Sequence, residues 1–305
     1  MLKQWLKYGL AGAAGLISLG LLWGLIEPYR LAVETPEATV PNLPEAWAGQ
    51  RIGQISDFQL GMWMHNINTA RRGVEYLAEQ RPAAVIISGD FIYKSLPDAE
   101  VEISKVVDVL KPLTAAEIPT YAVLGNHDYS HEPPVEALGQ EVHAALEAVG
   151  IQVLENEAVA LELPDQPGGS PLYLVGIGSR IAGKAEVATA LAALPPESPR
   201  IALMHNPTSF LDFPADTAPF AVAGHTHGGQ IRPVPFRPDW SVLKSLKDLP
   251  FPTDGWARDY GEPGNRLYIN RGIGFSDVPL RINCPPEVTL FTLTGASDSS
   301  ADSRI

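Results

Sequence analysis

Two imidazoles lie two residues apart in Gly224-His225-Thr226-His227-Gly228-Gly229-Gln230, boxed in by small residues. Imidazole is the commonest neutral metal ligand, and glycine lets backbone and substrate approach closely. A histidine pair alone is a weak signal, because buried histidines often serve only core hydrogen bonds. Four upstream stretches strengthen it: Ser56-Asp57-Phe58-Gln59, Gly89-Asp90, Gly125-Asn126-His127-Asp128 and Met204-His205-Asn206-Pro207. Each follows a short apolar run that reads as a strand. Together they offer Asp, Asn, Gln or His at the carboxyl ends of strands, where open α/β sheets place their sites. Oxygen and imidazole donors without thiolates suit a hard or borderline divalent ion.

The elements that must position these loops follow from periodicity. Apolar runs at 51–56, 83–88 and 119–124 read as strands, and helical spacing runs over 67–80, 98–110 and 135–149, the last closed by Gly150. After residue 150 strands dominate, at 159–163, 172–175, 201–204, 220–223, 266–270 and 287–293. An α/β first half and a strand-rich second half predict two packed sheets flanked by helices. Residues 27–50, with Pro28, Pro36, Pro41 and Pro44, read as an extended linker to a domain over 51–295. Residues 233–260 are proline-rich and carry Trp240, Phe251 and Trp256, the texture of a lid or substrate loop. The Ser/Asp-rich stretch 296–305 reads as a disordered tail.

The N-terminus carries a second signal. Residues 8–26 hold no charge and would span about 28 Å as a helix, close to the bilayer core. Lys3 and Lys7 precede this run, and Trp5, Trp23 and Tyr29 fall where an aromatic belt would sit. The reading is an uncleaved single-pass anchor over 1–26, with the N-terminus inside and the catalytic domain extracytoplasmic. The net charge of −13 argues against a nucleic-acid partner. It leaves phosphate substrates open, since bound dications reverse the local field. Cys284 is the single cysteine, which excludes an internal disulfide, and it reads as a buried strand-end thiol.

The five blocks, in this order, resemble the calcineurin-like metallophosphoesterase superfamily, whose pattern runs D-x-H, G-D, G-N-H-D, H and G-H-x-H. The resemblance covers residues 51–293. Arg271-Gly272-Ile273-Gly274 and Ile282-Asn283-Cys284-Pro285-Pro286-Glu287 are similar to a bacterial membrane-associated branch containing phosphodiesterases and UDP-2,3-diacylglucosamine pyrophosphatase-like enzymes. It implies a four-layer α/β/β/α sandwich with two divalent ions at one rim, manganese foremost and magnesium, iron or zinc as alternatives. It implies that Asp90 bridges the ions, that Asp57 and His227 hold the first with Gln59 nearby, and that Asn126, His205 and His225 hold the second. It further implies that His127 faces the leaving-group oxygen, with Asp128 orienting its ring and keeping it protonated. The implied reaction is direct attack of metal-activated water on a phosphodiester or pyrophosphate. The anchor and the aromatic loop add a lipid-linked phosphoester as the substrate reading.

Two positions depart from the pattern. Gln59 replaces the first-block histidine, and Tyr93 stands where many relatives carry an acid. A carbonyl oxygen is a harder and weaker donor than imidazole, so the first position should prefer manganese or magnesium. Gln59 also favours a rival reading, a metal-binding protein without catalysis, whereas retention of His127 and Asp90 opposes it. A hydrolase of soluble phosphodiesters is the other alternative. His65, His131 and His143 read as surface or helix-face histidines, and Arg180, Arg232 and Arg271 as solvated salt-bridge partners.

Overall fold

The computed structural model of the chain describes residues 1–62, 64, 67–93, 98–131, 133–163, 166, 168–192, 194–195, 197–232 and 251–295. The run Ala84–Ile87 (β4) is buried at every position, as expected of a central parallel strand covered on both faces. Arg51–Ile55 (β3), Thr120–Ala122 (β5) and Gln152–Val153 (β6) lie parallel with it in the order β3-β4-β5-β6. Helices Ile67–Gln80 (α2), Ala99–Ala115 (α3) and Glu136–Glu147 (α4) make the crossovers. Ala70, Val74 and Leu77 recur at helical spacing and turn one face of α2 to the core. Glu287–Gly295 (β13) runs antiparallel to β3 and extends the sheet.

A second sheet has the order β11-β12-β10-β9-β8-β7. It consists of Glu157–Leu161 (β7), Leu172–Gly176 (β8), Arg200–Leu203 (β9), Ala221–Ala223 (β10), Gly255–Trp256 (β11) and Leu267–Ile269 (β12). Ile52, Ile86, Val123, Leu203, Val222 and Phe291 fill the layer between the sheets. Phe291 meets Phe220 and Tyr268 edge-on at 4.9 and 5.0 Å. Truncating such a side chain costs about 3–5 kcal/mol. Val187 and Ala190 of the short helix Val187–Ala192 (α5), with Phe210 and Phe213, cover the outer face of the second sheet. The expected architecture of two mixed sheets flanked by helices is present.

The expected linker over 27–50 differs. Ala32–Glu34 (β1) and Glu37–Val40 (β2) both pair parallel with β13, in the registers Ala32↔Glu287 and Glu37↔Thr292. Pro36 separates them, yet its carbonyl accepts the Thr292 N–H at 3.1 Å, so the long final strand serves two short ones in turn. Helix α3 also runs past 110 through Pro112, because a proline removes only one helical bond while Leu113 stays buried.

Residues 233–250 of the expected lid, and the expected tail 296–305, lie outside the described residues. Within 251–260, Phe251 is buried and Trp256 packs on Phe220 and Tyr268. Helix Leu2–Ile26 (α1) exposes Leu6, Leu10, Leu16, Leu19 and Leu22. An 18-residue window within Gln4–Tyr29 has a mean hydropathy of 1.9, so this helix is long and apolar enough to cross a membrane.

Candidate metal centre

Strands β3, β4, β5, β9 and β10 all end at one rim, and the five polar loops meet there. Backbone bonds lace the loops together: Asp57 N–H donates to Gly89 O at 2.9 Å, Gln59 N–H to Asp90 O at 3.0 Å, and Gly224 N–H to His205 O at 3.1 Å. Two glycines permit the crowding. A Cβ on Gly125 would lie 2.1 Å from Asp90 Oδ1, and one on Gly224 would lie 2.1 Å from Ser56 Oγ and 2.5 Å from Asp57 Oδ2. Asp57, Gln59, Asp90, His225 and His227 have φ of 53°, 52°, 57°, 73° and 49°. Such backbone costs about 1–3 kcal/mol per residue and persists where the surroundings over-determine it.

Two donor clusters result. The ligand atoms of Asp57, Asp90 and His227 lie within 4.8 Å of one another, and so do those of Asp90, His205 and His225. Asp90 belongs to both. His205 Nδ1 donates to Ser88 O at 2.6 Å, which leaves Nε2 facing Asp90 Oδ2 at 3.2 Å and Asn126 Oδ1 at 3.1 Å. The Asp90 and Asn126 oxygens converge on that Nε2, where a bound cation would take the place of its proton. Asp57 Oδ1 stands 3.6 Å from His227 Nε2, and His227 Nδ1 and Gln59 Oε1 are buried with no hydrogen-bond partner.

The electrostatics agree with this fit. Burial pushes Asp57 up to about 6, against the pull of His205. Despite the cost of burial, His205 and His127 hold Asp90 below the ordinary carboxylate range. Burial lowers His225 to about 3 and His227 well below the usual histidine value. His225 and His227 are thus already neutral, as ligation requires, whereas Asp90, against the cost of burial, raises His205 to about 9, so ligation through its Nε2 would release a proton.

Gln59 is placed differently from a simple donor. Its Nε2 donates to Asp90 Oδ2 at 2.7 Å, so in this conformer the amide faces the shared carboxylate through nitrogen. Turning the amide by half a rotation would exchange the two ends.

Asp128 does not touch the His127 ring, contrary to the expected role. Its carboxylate accepts the backbone N–H groups of Gly125 (2.8 Å), Asp90 (2.9 Å), Phe91 (2.8 Å) and Ile92 (3.2 Å). The 3-10 turn His127–Tyr129 sends the two adjacent side chains in different directions. The His127 ring instead stacks on Tyr93 at 4.8 Å, with Nδ1 3.3 Å from Tyr93 O. Burial lowers the His127 pKa, with Asp90 opposing and His131 reinforcing the shift, so the structure favours the neutral ring rather than the expected protonated one.

His131, expected at the surface, has its ring 4.9 Å from that of His127. Its place four residues after His127, just past the loop, was the available signal. His143 sits on the face of α4 as expected, and His65 lies outside the described residues.

Three further residues support the site, none of them named among the expected ligands. Asn206 is buried; its Nδ2 donates to Asn126 Oδ1 at 3.4 Å and its Oδ1 accepts the Arg180 N–H at 2.9 Å. Arg281 is fully buried and donates to the carbonyls of Arg271 (2.8 Å), Gly272 (3.1 Å) and Gly274 (3.0 Å). Glu27 is 3% exposed and accepts the N–H groups of Asn283 and Cys284, each at 2.8 Å. Cys284 is buried as expected, its thiol donating to His227 O at 3.3 Å. Arg180 pairs with Asp212, Arg232 with Asp254 and Arg271 with Glu34 and Glu287, although Arg232 and Arg271 are largely buried rather than solvated.

Residues 50–229 match the family model for calcineurin-like phosphoesterases. The chain belongs to that family. The phosphoesterase is 34% identical over 219 residues to phosphodiesterase YaeI of Escherichia coli, covering 70% of this chain and 72% of the relative. It is 29% identical over 302 residues to metallophosphoesterase YkuE of Bacillus subtilis, covering 95% and 96%. A Danio rerio transmembrane protein with a metallophosphoesterase domain is 28% identical over 289 residues, covering 91% of this chain and 60% of its own. A solved dimetal phosphatase from Danio rerio is similar at 12% identity and a TM-score of 0.42, covering 74% and 88%. The phosphoesterase is therefore a metal-dependent hydrolase of phosphoesters, with donors for two divalent ions.

Proposed function

We propose that this metallophosphoesterase cleaves phosphodiester or pyrophosphate bonds while anchored in a membrane by α1. The sharing of Asp90 between two donor clusters carries the reading. A carboxylate common to both could serve two cations and would offset their repulsion. Asp57 and His227 would hold one ion, and Asn126, His205 and His225 the other, with Gln59 beside Asp90 and able to join the first through its carbonyl. Two such ions, when bound, supply Lewis acidity toward the phosphoryl oxygens and lower the pKa of water, and manganese suits this oxygen-rich set best.

The chain's own residues do the rest. His127, its backbone tied to Asp90 Oδ1 at 2.8 Å, presents a ring held by Tyr93 to the leaving-group side. A neutral ring there acts through a donated hydrogen bond, or as acid after gaining a proton, and stabilises charge on the departing oxygen. Asp128 fixes the two loops that carry Asp90 and Asn126.

The apolar run of α1 and the likeness to a transmembrane relative support anchoring, and the charge bias around α1 supports an extracytoplasmic domain. An amphiphilic phosphoester fits such an enzyme. The test is hydrolysis of bis-p-nitrophenyl phosphate by the full chain in detergent, with Mn²⁺ or with EDTA. Turnover with Mn²⁺ that EDTA abolishes is expected; no turnover with Mn²⁺, Mg²⁺ or Zn²⁺, despite metal binding, would turn the reading to a binding protein.

A further inference from the structure

The end of α1 is docked on the wall of the metal centre. Gly24 O accepts the Arg281 N–H at 3.0 Å. A Cβ on Gly24 would lie 3.0 Å from Ile282 and 3.4 Å from Leu280, so the loop packs against the helix backbone itself. One turn on, Glu27 takes the N–H groups of Asn283 and Cys284. Thr69 and Arg72 of α2 donate to Pro28 O at 3.1 Å and Tyr29 O at 2.6 Å. β1 then starts at Ala32 and pairs with β13. No slack separates helix from domain.

The same loop reaches the ligands. Arg281 joins Gly24 through its backbone and Gly274 O through its guanidinium, and Gly274 N–H donates to Asp57 O at 2.7 Å. Cys284 joins Glu27 through its N–H and His227 O through its thiol. His227 thus stands one residue from the helix end, through Cys284, and Asp57 two, through Gly274 and Arg281.

The level of that end is set by chemistry. Gly24 lies inside the uncharged run 8–26, and Glu27 is the first charge after it. Trp23 and Tyr29 are 39% and 45% exposed, and Arg30 lies over Trp23 at 5.1 Å, the residue types that settle at a bilayer surface. Leu280 and Ile282, half-buried and level with Gly24, fall in the same layer.

Resting on the anchored phosphoesterase reading, we infer that Trp23, Tyr29, Arg30, Leu280 and Ile282 form a collar seated in the lipid headgroup layer. It fixes the metal centre at that layer, and the enzyme takes phosphoesters that the bilayer itself presents. A flexible tether would let the domain sample any height; this dock does not.

The test uses the full chain in phosphatidylcholine vesicles with Mn²⁺ and two probes with one leaving group: soluble bis-p-nitrophenyl phosphate, and hexadecyl p-nitrophenyl phosphate dissolved in the bilayer. A 12-residue Gly/Ser insertion between Ile26 and Glu27 lifts the domain while keeping Glu27 on Asn283 and Cys284. Expected are turnover of both probes by the wild type, and at least a tenfold loss on the lipid probe alone in the insertion variant. Equal retention of both by that variant, or cleavage of only the soluble probe by the wild type, would overturn the inference. Absence of turnover of both probes in the wild type would instead overturn the phosphodiesterase reading beneath it. Should the insertion variant lose both activities, a nitroxide on Leu280→Cys decides: oxygen access above that of a water-soluble nickel complex supports the collar, and the reverse refutes it.

Discussion

Asp128 Oδ2 accepts the backbone N–H of Asp90 at 2.9 Å, so the carboxylate beside His127 in sequence serves the residue common to both donor clusters in space. Four backbone donors converge on Asp128 in a fully buried site, and an amide in its place would oppose N–H to N–H. Asp128→Asn should lose about 2–3 kcal/mol in urea unfolding of the metal-free protein. If Asp128 served only to orient His127, stability would stay at the wild-type value and turnover alone would fall.

His127 and His131 stand with rings 4.9 Å apart, and His131 belongs to neither donor cluster. His127→Ala should lower diester turnover roughly 10²–10⁴-fold, the range for losing a positioned acid or hydrogen-bond donor. His131→Ala should lower it about tenfold with metal content unchanged. Wild-type kinetics in His131→Ala would return that residue to the surface role its sequence suggests.

Gly224 borders Ser56 and Asp57 so tightly that a methyl group there would displace a ligand. Gly224→Ala should bind less metal than the wild type at equal Mn²⁺, with far-UV circular dichroism unchanged. Full metal content in this variant would mean that the loop has room that the distances deny it.

Gln59 contributes an amide where imidazole would hold zinc or iron more tightly. Gln59→His should retain more zinc or iron after purification, read by elemental analysis. An unchanged metal profile would show that position 59 acts only as the partner of Asp90.

The convergence of the candidate site was legible because its candidate ligands are short-range signals: Asp57, Asp90, Asn126, His205 and His227 each follow an apolar strand and precede a tight turn. The central strands were legible for the same reason, since four buried residues such as Ala84–Ile87 have no other use. β1 and β2 were not, because three or four residues between prolines have no period of their own and become strands only beside β13. Arg281 and Glu27 were hidden by their charge, which reads as solvent-facing until buried partners are seen. Asp128 misled through adjacency: a 3-10 turn separates neighbours that a linear reading joins.

The account turns on Asp90 serving two cations, and metal content tests this most directly. The full chain, saturated with Mn²⁺ and freed of excess, should carry two ions by elemental analysis, as its two donor clusters require. Asp90→Asn should carry one at most and lose diester turnover. Two ions retained in Asp90→Asn, or a single ion in the saturated wild type, would contradict it.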